Sequence, residues 1–408
     1  MINFNLGALN PFRRSAPKDA PAKKAGALKA DPPEAESKDL WGRGREFFTD
    51  TWGATKKKVD DAVDAGKDLV KIGAQKGREA VEETLWGEYK SDWGGYGDRY
   101  ENPDDANFQR ESTSAIERRI DARAKEEGAA LGKLAAADQT RYRKLQTLIE
   151  ADPLSKEALQ TMLLDGRLPG GKDLSGRGTL LVNLAALAEQ ALAPGVKRES
   201  LVSDLVQEVE NPVVISQKDK NTCVATSSVV DLALRNPAEF TRLVAGLAAP
   251  NGKVKLAGGS VIAREPQWLD TLGNRTPSVH MLSGSLMELG NGPLKYEPVE
   301  DRHEVLNKGL YEGLFLIGAN RILSQLNDRD YDAVVATRWN LDAVMSRMAD
   351  ATAAGKRVPV GLAWEDGGHQ VVVEGIKDGQ VQFLNPHGNR ERLPEAEFGA
   401  RLRSAHFY

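Results

Sequence analysis

Ser216-Gln217-Lys218-Asp219-Lys220-Asn221-Thr222-Cys223-Val224-Ala225-Thr226-Ser227 is the stretch on which the chain turns, because it carries the only cysteine of the sequence. Val213-Val214-Ile215 reads as a short buried strand, the polar run Ser216 to Thr222 as a loop, and Val224 to Leu234 as a helix. Cys223 therefore falls at a helix N-terminus, where unsatisfied N–H groups and the helix dipole favour thiolate over thiol. An ordinary thiol titrates near about 8.5. The same position, with Lys218 and Lys220 close by, leads us to expect a lowered value for Cys223. A lone cysteine is equally at home as an inert, small core residue, so the choice between the two readings falls to the rest of the chain.

Working outward, the chain after the cysteine helix is punctuated clearly. Asn236-Pro237 is an N-cap followed by proline at the first helical position, which predicts a second helix through Ala248. A hairpin is expected from Lys253 to Leu256 and Ser260 to Arg264. Helices are expected over Ser278 to Leu289, His303 to Leu326 with a break at Gly313 or Gly318, and Asn340 to Ala354, and a strand over Tyr331 to Thr337. From Arg357 the apolar period changes from helix to strand. Arg357 to Trp364, His369 to Ile376 and Gln380 to Leu384 read as strands joined by Glu365-Asp366-Gly367-Gly368 and Lys377-Asp378-Gly379.

His369 opens one of these strands and Asn385 closes the next. A strict two-residue Asp378-Gly379 turn would set them on opposite faces, whereas a three-residue turn with Gly379 in the left-handed position sets them on one side. We expect the three-residue form. A thiolate nucleophile needs a base to take its proton and a third group to orient that base, and Cys223, His369 and Asn385 can fill these roles in that order. Gln217, six residues before the cysteine, can supply an amide N–H that forms an oxyanion hole with the backbone N–H of Cys223.

The order Gln217, Cys223, His369, Asn385 on these element types resembles the papain-like cysteine peptidases. Asn385-Pro386-His387-Gly388 is similar to the Asn-Pro/Ser-Trp-Gly segment of papain and calpain. His369-Gln370-Val371-Val372-Val373-Glu374-Gly375 resembles the family's His-Ala-Val-x-x-x-Gly strand, and Leu393 to Phe398 the closing segment of bacterial papain-fold domains. The resemblance covers about residues 211 to 408. It implies an α+β fold, a papain-like domain with a helix-rich lobe carrying Cys223 and an antiparallel β lobe carrying His369 and Asn385. It also implies oxyanion stabilisation by Gln217. The sequence departs from the family where Val224 follows the cysteine in place of an aromatic, and where His387 replaces the tryptophan that shields the His–Asn bond from water.

The expected activity is hydrolysis of peptide bonds of a protein substrate through an acyl-enzyme, with no cofactor and no metal. Two alternatives stand beside it. One is a transglutaminase-like acyltransferase or glutamine deamidase using the same groups, and the other is an inactive papain-like scaffold that works by binding.

The first half carries no comparable chemistry. Residues 1–40, rich in Ala, Pro and Lys, are expected to be a disordered tail, since they cannot bury enough surface to offset their ordering entropy. Residues 41–105 hold a loose eleven-residue helical repeat in which Val59, Val70 and Val81 align. Trp-Gly pairs flank it at Trp41, Trp52, Trp86 and Trp93, and a linker follows. The thin apolar stripe within 55–93 reads either as a solvated helix or as one that docks on a membrane surface or a partner helix. Residues 106–210 read as an all-helical module preceding a domain at 211–408. A formal charge of −4 argues against nucleic acid as a partner, and no apolar run is long enough for a membrane span. The start lacks a Sec-type signal pattern, so a cytoplasmic location, or export without a Sec signal as for a bacterial effector, is expected.

Overall fold

The computed structural model describes residues 112–408, except 269–274, 293–294, 299–300, 306–307, 312–313, 315 and 365–366. The expectations for residues 1–40 and 41–105 lie outside the described residues. In order, the helical part begins with α1 (Thr113–Ala122), α2 (Ala124–Gly132), α3 (Ala136–Leu148), α4 (Pro153–Leu164), α5 (Leu180–Glu189) and α6 (Arg198–Glu210). Their starts follow the sequence's punctuation. Asp152 accepts the Leu154 and Ser155 N–H groups ahead of Pro153, and Thr179 accepts from Val182.

A 3₁₀ turn over Pro212–Val214 then replaces the short strand expected at Val213 to Ile215. Proline leads this turn and the Asn211 side chain accepts the Val213 N–H, so capping chemistry outweighs the β propensity of two valines. Next come α7 (Cys223–Arg235) and α8 (Pro237–Ala248), the latter capped by Asn236 on the Glu239 N–H at 2.9 Å. Every residue of α7 from Cys223 to Ala233 is buried. A helix with no solvated face must lie between layers.

The hairpin β1 (Lys253–Lys255) and β2 (Val261–Ala263) forms as expected, and α9 (Pro277–Asn291) follows. The helix expected from His303 is corrected: β3 (Lys295–Glu297), β4 (Arg302–Val305) and β5 (Lys308–Tyr311) form a three-stranded antiparallel sheet, and among the described residues of that stretch only Leu316–Asn327 is helical (α10). Gly309 and Gly313 weaken a helix here, and strand pairing takes up the backbone groups instead.

The remaining elements are β6 (Asp332–Val335), α11 (Leu341–Ala353), β7 (Val358–Trp364), β8 (Gly367–Lys377), β9 (Gln380–Asn385), β10 (Asn389–Pro394), α12 (Glu395–Arg401) and β11 (Leu402–Phe407). They build a six-stranded antiparallel sheet in the order β10-β9-β8-β7-β11-β6. The protein is thus a mixed α+β fold.

Two hydrophobic clusters organise it. The larger joins residues of α3 to α10, from Tyr142 through Val209 and Cys223 to Leu326, and includes Val372 and Leu384 from the sheet. The smaller packs Val371, Val373, Phe383, Leu393 and Phe398 on the sheet's other face with Val344 and Met348 of α11. Because one core runs from Tyr142 past Cys223, the break expected at 210/211 does not separate two cores: α3 to α6 and the cysteine helix bury their apolar faces against each other. No described helix is long and apolar enough to cross a membrane.

Candidate active site

The hairpin β8–β9 places His369 and Asn385, and it does so by a different route from the one expected. Asp378 and Gly379 both take positive φ, 54° and 72°, and Lys377 pairs with Gln380. This is the strict two-residue turn, which by itself would put the two side chains on opposite faces. A bulge corrects the parity. Gly375 pairs with Gln382, but Val373 pairs with Phe383, so Glu374 is the extra residue. Beyond the bulge, odd-numbered residues of the two strands share a face, and His369 and Asn385 come to one side. Glu374 is held by Arg390, whose Nε donates at 2.7 Å.

The outcome is a hydrogen bond of 2.9 Å between His369 Nε2 and Asn385 Oδ1. The Asn385 oxygen also accepts the backbone N–H of His387 at 3.3 Å, and the Asn385 amide nitrogen donates to Glu391 Oε1 at 2.8 Å. Glu391 lies on β10 opposite Phe383, on the same face. Two rings pack on His369. Trp364, at the end of β7, approaches to 4.2 Å between ring centroids, and His387 stacks at 5.3 Å with 15° between planes. The tryptophan absent after Asn385 is thus matched by one from the neighbouring strand, two residues along from Leu362, the partner of His369.

Cys223 enters from α7. That helix crosses the sheet at Gln370, one residue beyond His369, where the Ser227 hydroxyl donates to the Gln370 carbonyl at 2.7 Å. The backbone N–H groups of Gln370, Val224 and Cys223 itself point at the sulfur. Among the described residues no hydrogen bond joins the thiol to the imidazole directly; the two meet through adjacent positions of β8. Gln217 is tied to the other end of the site. Its backbone N–H donates to the Pro386 carbonyl at 2.7 Å, and its side-chain amide nitrogen donates to the Lys220 carbonyl at 2.7 Å. Gly388, with φ of 94°, closes the Asn385 turn directly against Ser216, where an added Cβ would lie 3.4 Å from the Ser216 Cβ. The loop before the cysteine and the turn after the asparagine are thus packed as one unit.

Electrostatics correct a second expectation. Cys223 is 7% exposed and His369 6%, and at that depth charge is costly. Burial pushes the Cys223 thiol up, outweighing the backbone N–H groups that pull it down, and the Asp301 carboxylate pushes it further up. The lysines do not act as expected: Lys218 is exposed, and Lys220 draws on Asp301, which itself is raised by burial and bonded by the Tyr296 hydroxyl at 2.6 Å and the Asn221 N–H. Burial likewise lowers His369 to about 3, against the opposing effect of its bond to Asn385. At rest the Cys223 thiol and the His369 imidazole are both held neutral.

No protein-family model matches the sequence, and a comparison with curated proteins finds no match. The functional reading therefore rests on this geometry. Trp364, Gln370, Asp301 and Glu391 are the residues that sequence reasoning missed. Only Trp364 left a signal: a large aromatic ending the strand that precedes the histidine strand.

Proposed function

We propose that residues 211–408, which share a core with α3 to α6, carry a papain-like cysteine peptidase site that cleaves a protein substrate. The observation that supports this best is the buried His369 Nε2 to Asn385 Oδ1 bond on the strand that packs against the N-terminus of the cysteine helix. A histidine bonded through Nε2 keeps Nδ1 as its remaining nitrogen for proton transfer. In the proposed reaction Nδ1 takes the thiol proton as Sγ adds to the substrate carbonyl carbon. A neutral resting pair makes this transfer concerted with attack rather than earlier than it. The carbonyl oxygen takes the negative charge, which the Cys223 N–H and the second amide hydrogen of Gln217 would stabilise, the first being held by Lys220. The imidazolium then protonates the departing amine as the C–N bond breaks. Water, deprotonated by His369, releases the acyl group from sulfur and regenerates the thiol.

The test is incubation of the full chain with a complex peptide mixture and mass spectrometric mapping of new termini. Cleavage lost in both Cys223→Ala and His369→Ala supports the peptidase reading. Ammonia release or glutamine-to-amine cross-linking without new termini would move the assignment to the deamidase and acyltransferase class. No product from any of these reactions would leave the scaffold reading.

A further inference from the structure

Asn385 is held at three points, and one of them permits only one orientation of its amide. The backbone N–H of His387 can only donate, so the atom facing it at 3.3 Å is the oxygen Oδ1. With Oδ1 fixed there, the atom facing Glu391 Oε1 at 2.8 Å is the nitrogen Nδ2, which donates to it. The same oxygen faces His369 Nε2, which must therefore carry the hydrogen. The lone pair of the neutral ring is then confined to Nδ1.

We propose that Glu391 is a positioning residue that sets the tautomer of His369 through the Asn385 amide. The proposal rests on the reading of His369 as the general base, because only a base has a use for a defined lone pair. Glu391 is 7% exposed on β10, on the face that also buries Phe383 and Leu393. Burying a carboxylate is costly, and the cost is reduced by a hydrogen bond from the amide it orients. Without an acceptor at this position the Asn385 NH₂ group is left buried with a donor unmet. Rotation of the amide by half a turn, which presents N–H to the imidazole and demands the opposite tautomer, then becomes competitive.

The experiment is long-range ¹⁵N–¹H NMR of the full chain labelled at histidine nitrogens, which reports which ring nitrogen bears hydrogen whether or not the protein turns over substrate. In the wild type His369 should be a single Nε2–H tautomer. Glu391→Gln, which keeps a carbonyl oxygen for Asn385, should retain it. Glu391→Met, similar in length but with no comparable acceptor, should give a mixture, with the Nδ1–H form rising from undetectable to tens of per cent. Cleavage, if the peptidase reading holds, should fall at least tenfold in kcat with KM little changed. The buried His280 and His406 signals serve as the check on folding. If Glu391→Met does not fold, the wild type still decides: one Asn385 amide hydrogen must be protected from exchange with D₂O. A single Nε2–H tautomer in folded Glu391→Met, loss of it in Glu391→Gln, or an unprotected Asn385 amide would each overturn the proposal. A tautomer shift in Glu391→Met without Cys223-dependent turnover would uphold it while removing the peptidase reading.

Discussion

Lowering the pH tests whether His369 is the neutral group its surroundings require. Burial holds its folded-state value near about 3, against 6.5 for an ordinary histidine, the Asn385 bond opposing and the nearby His387 adding to the fall. A depressed value means that the folded chain binds fewer protons than the unfolded one. The stability this contributes is complete above about pH 6.5 and is lost as the pH falls towards 3. The slope is about 1.4 kcal/mol per pH unit, which amounts to about 2 kcal/mol between about pH 7 and about pH 5. The whole protein will not show this alone, since His280, lowered by burial to about 3, and His406, lowered to about 4, act in the same sense. The difference between wild type and His369→Gln isolates it. Urea unfolding of both at a series of pH values should give curves that converge by about 2 kcal/mol as the wild type loses stability in acid. The ¹⁵N shifts of His369 should stay constant over the same range. A His369 that titrates in the folded chain at about 6 or above, or parallel stability curves, would refute the reasoning and restore a charged imidazolium to the resting site.

Two other groups are shifted by the same burial in the opposite direction, upwards. Glu208 is fully enclosed, and burial lifts it to about 8 against the pull of its bonds from Ser278 and Thr276. A raised carboxyl gives stability that is complete below its unfolded value of 4.5 and lost as the pH rises towards 8. Glu208→Gln, which keeps the hydroxyl partners, should therefore gain on the wild type by about 3 kcal/mol at about pH 7 and be near parity at about pH 4.5, with a flat difference counting against a protonated Glu208. Cys223 should react with iodoacetamide at least tenfold more slowly in the folded chain than in urea at about pH 7, because burial both raises the thiol and shields it. Fast labelling of the folded chain below that pH would show that the thiolate already exists at rest.

The sequence by itself was sufficient for the local features. Asn236-Pro237, Asp152-Pro153 and Thr179 start helices because capping needs only residues within one turn, and the consecutive valines Val371-Val372-Val373 mark a strand buried on both faces. Cys223 at a helix start, His369 within a strand and Asn385 at a strand end were legible as positions. The route by which His369 and Asn385 come to one side was not. It depends on the Glu374 bulge, which is invisible in the pattern because it is fixed by pairing with Gln382 and Phe383 across the strand, and by Arg390 on the far side of the hairpin. The hairpin β4–β5 was missed likewise, since β4 is satisfied by pairing with β3 on one side and β5 on the other and not by its own propensity. Charge state was the furthest out of reach. A helix N-terminus argued for a thiolate, but the direction of the shift is set by how much water the fold removes, and only the stacking of α7 between the helical core and the sheet decides that.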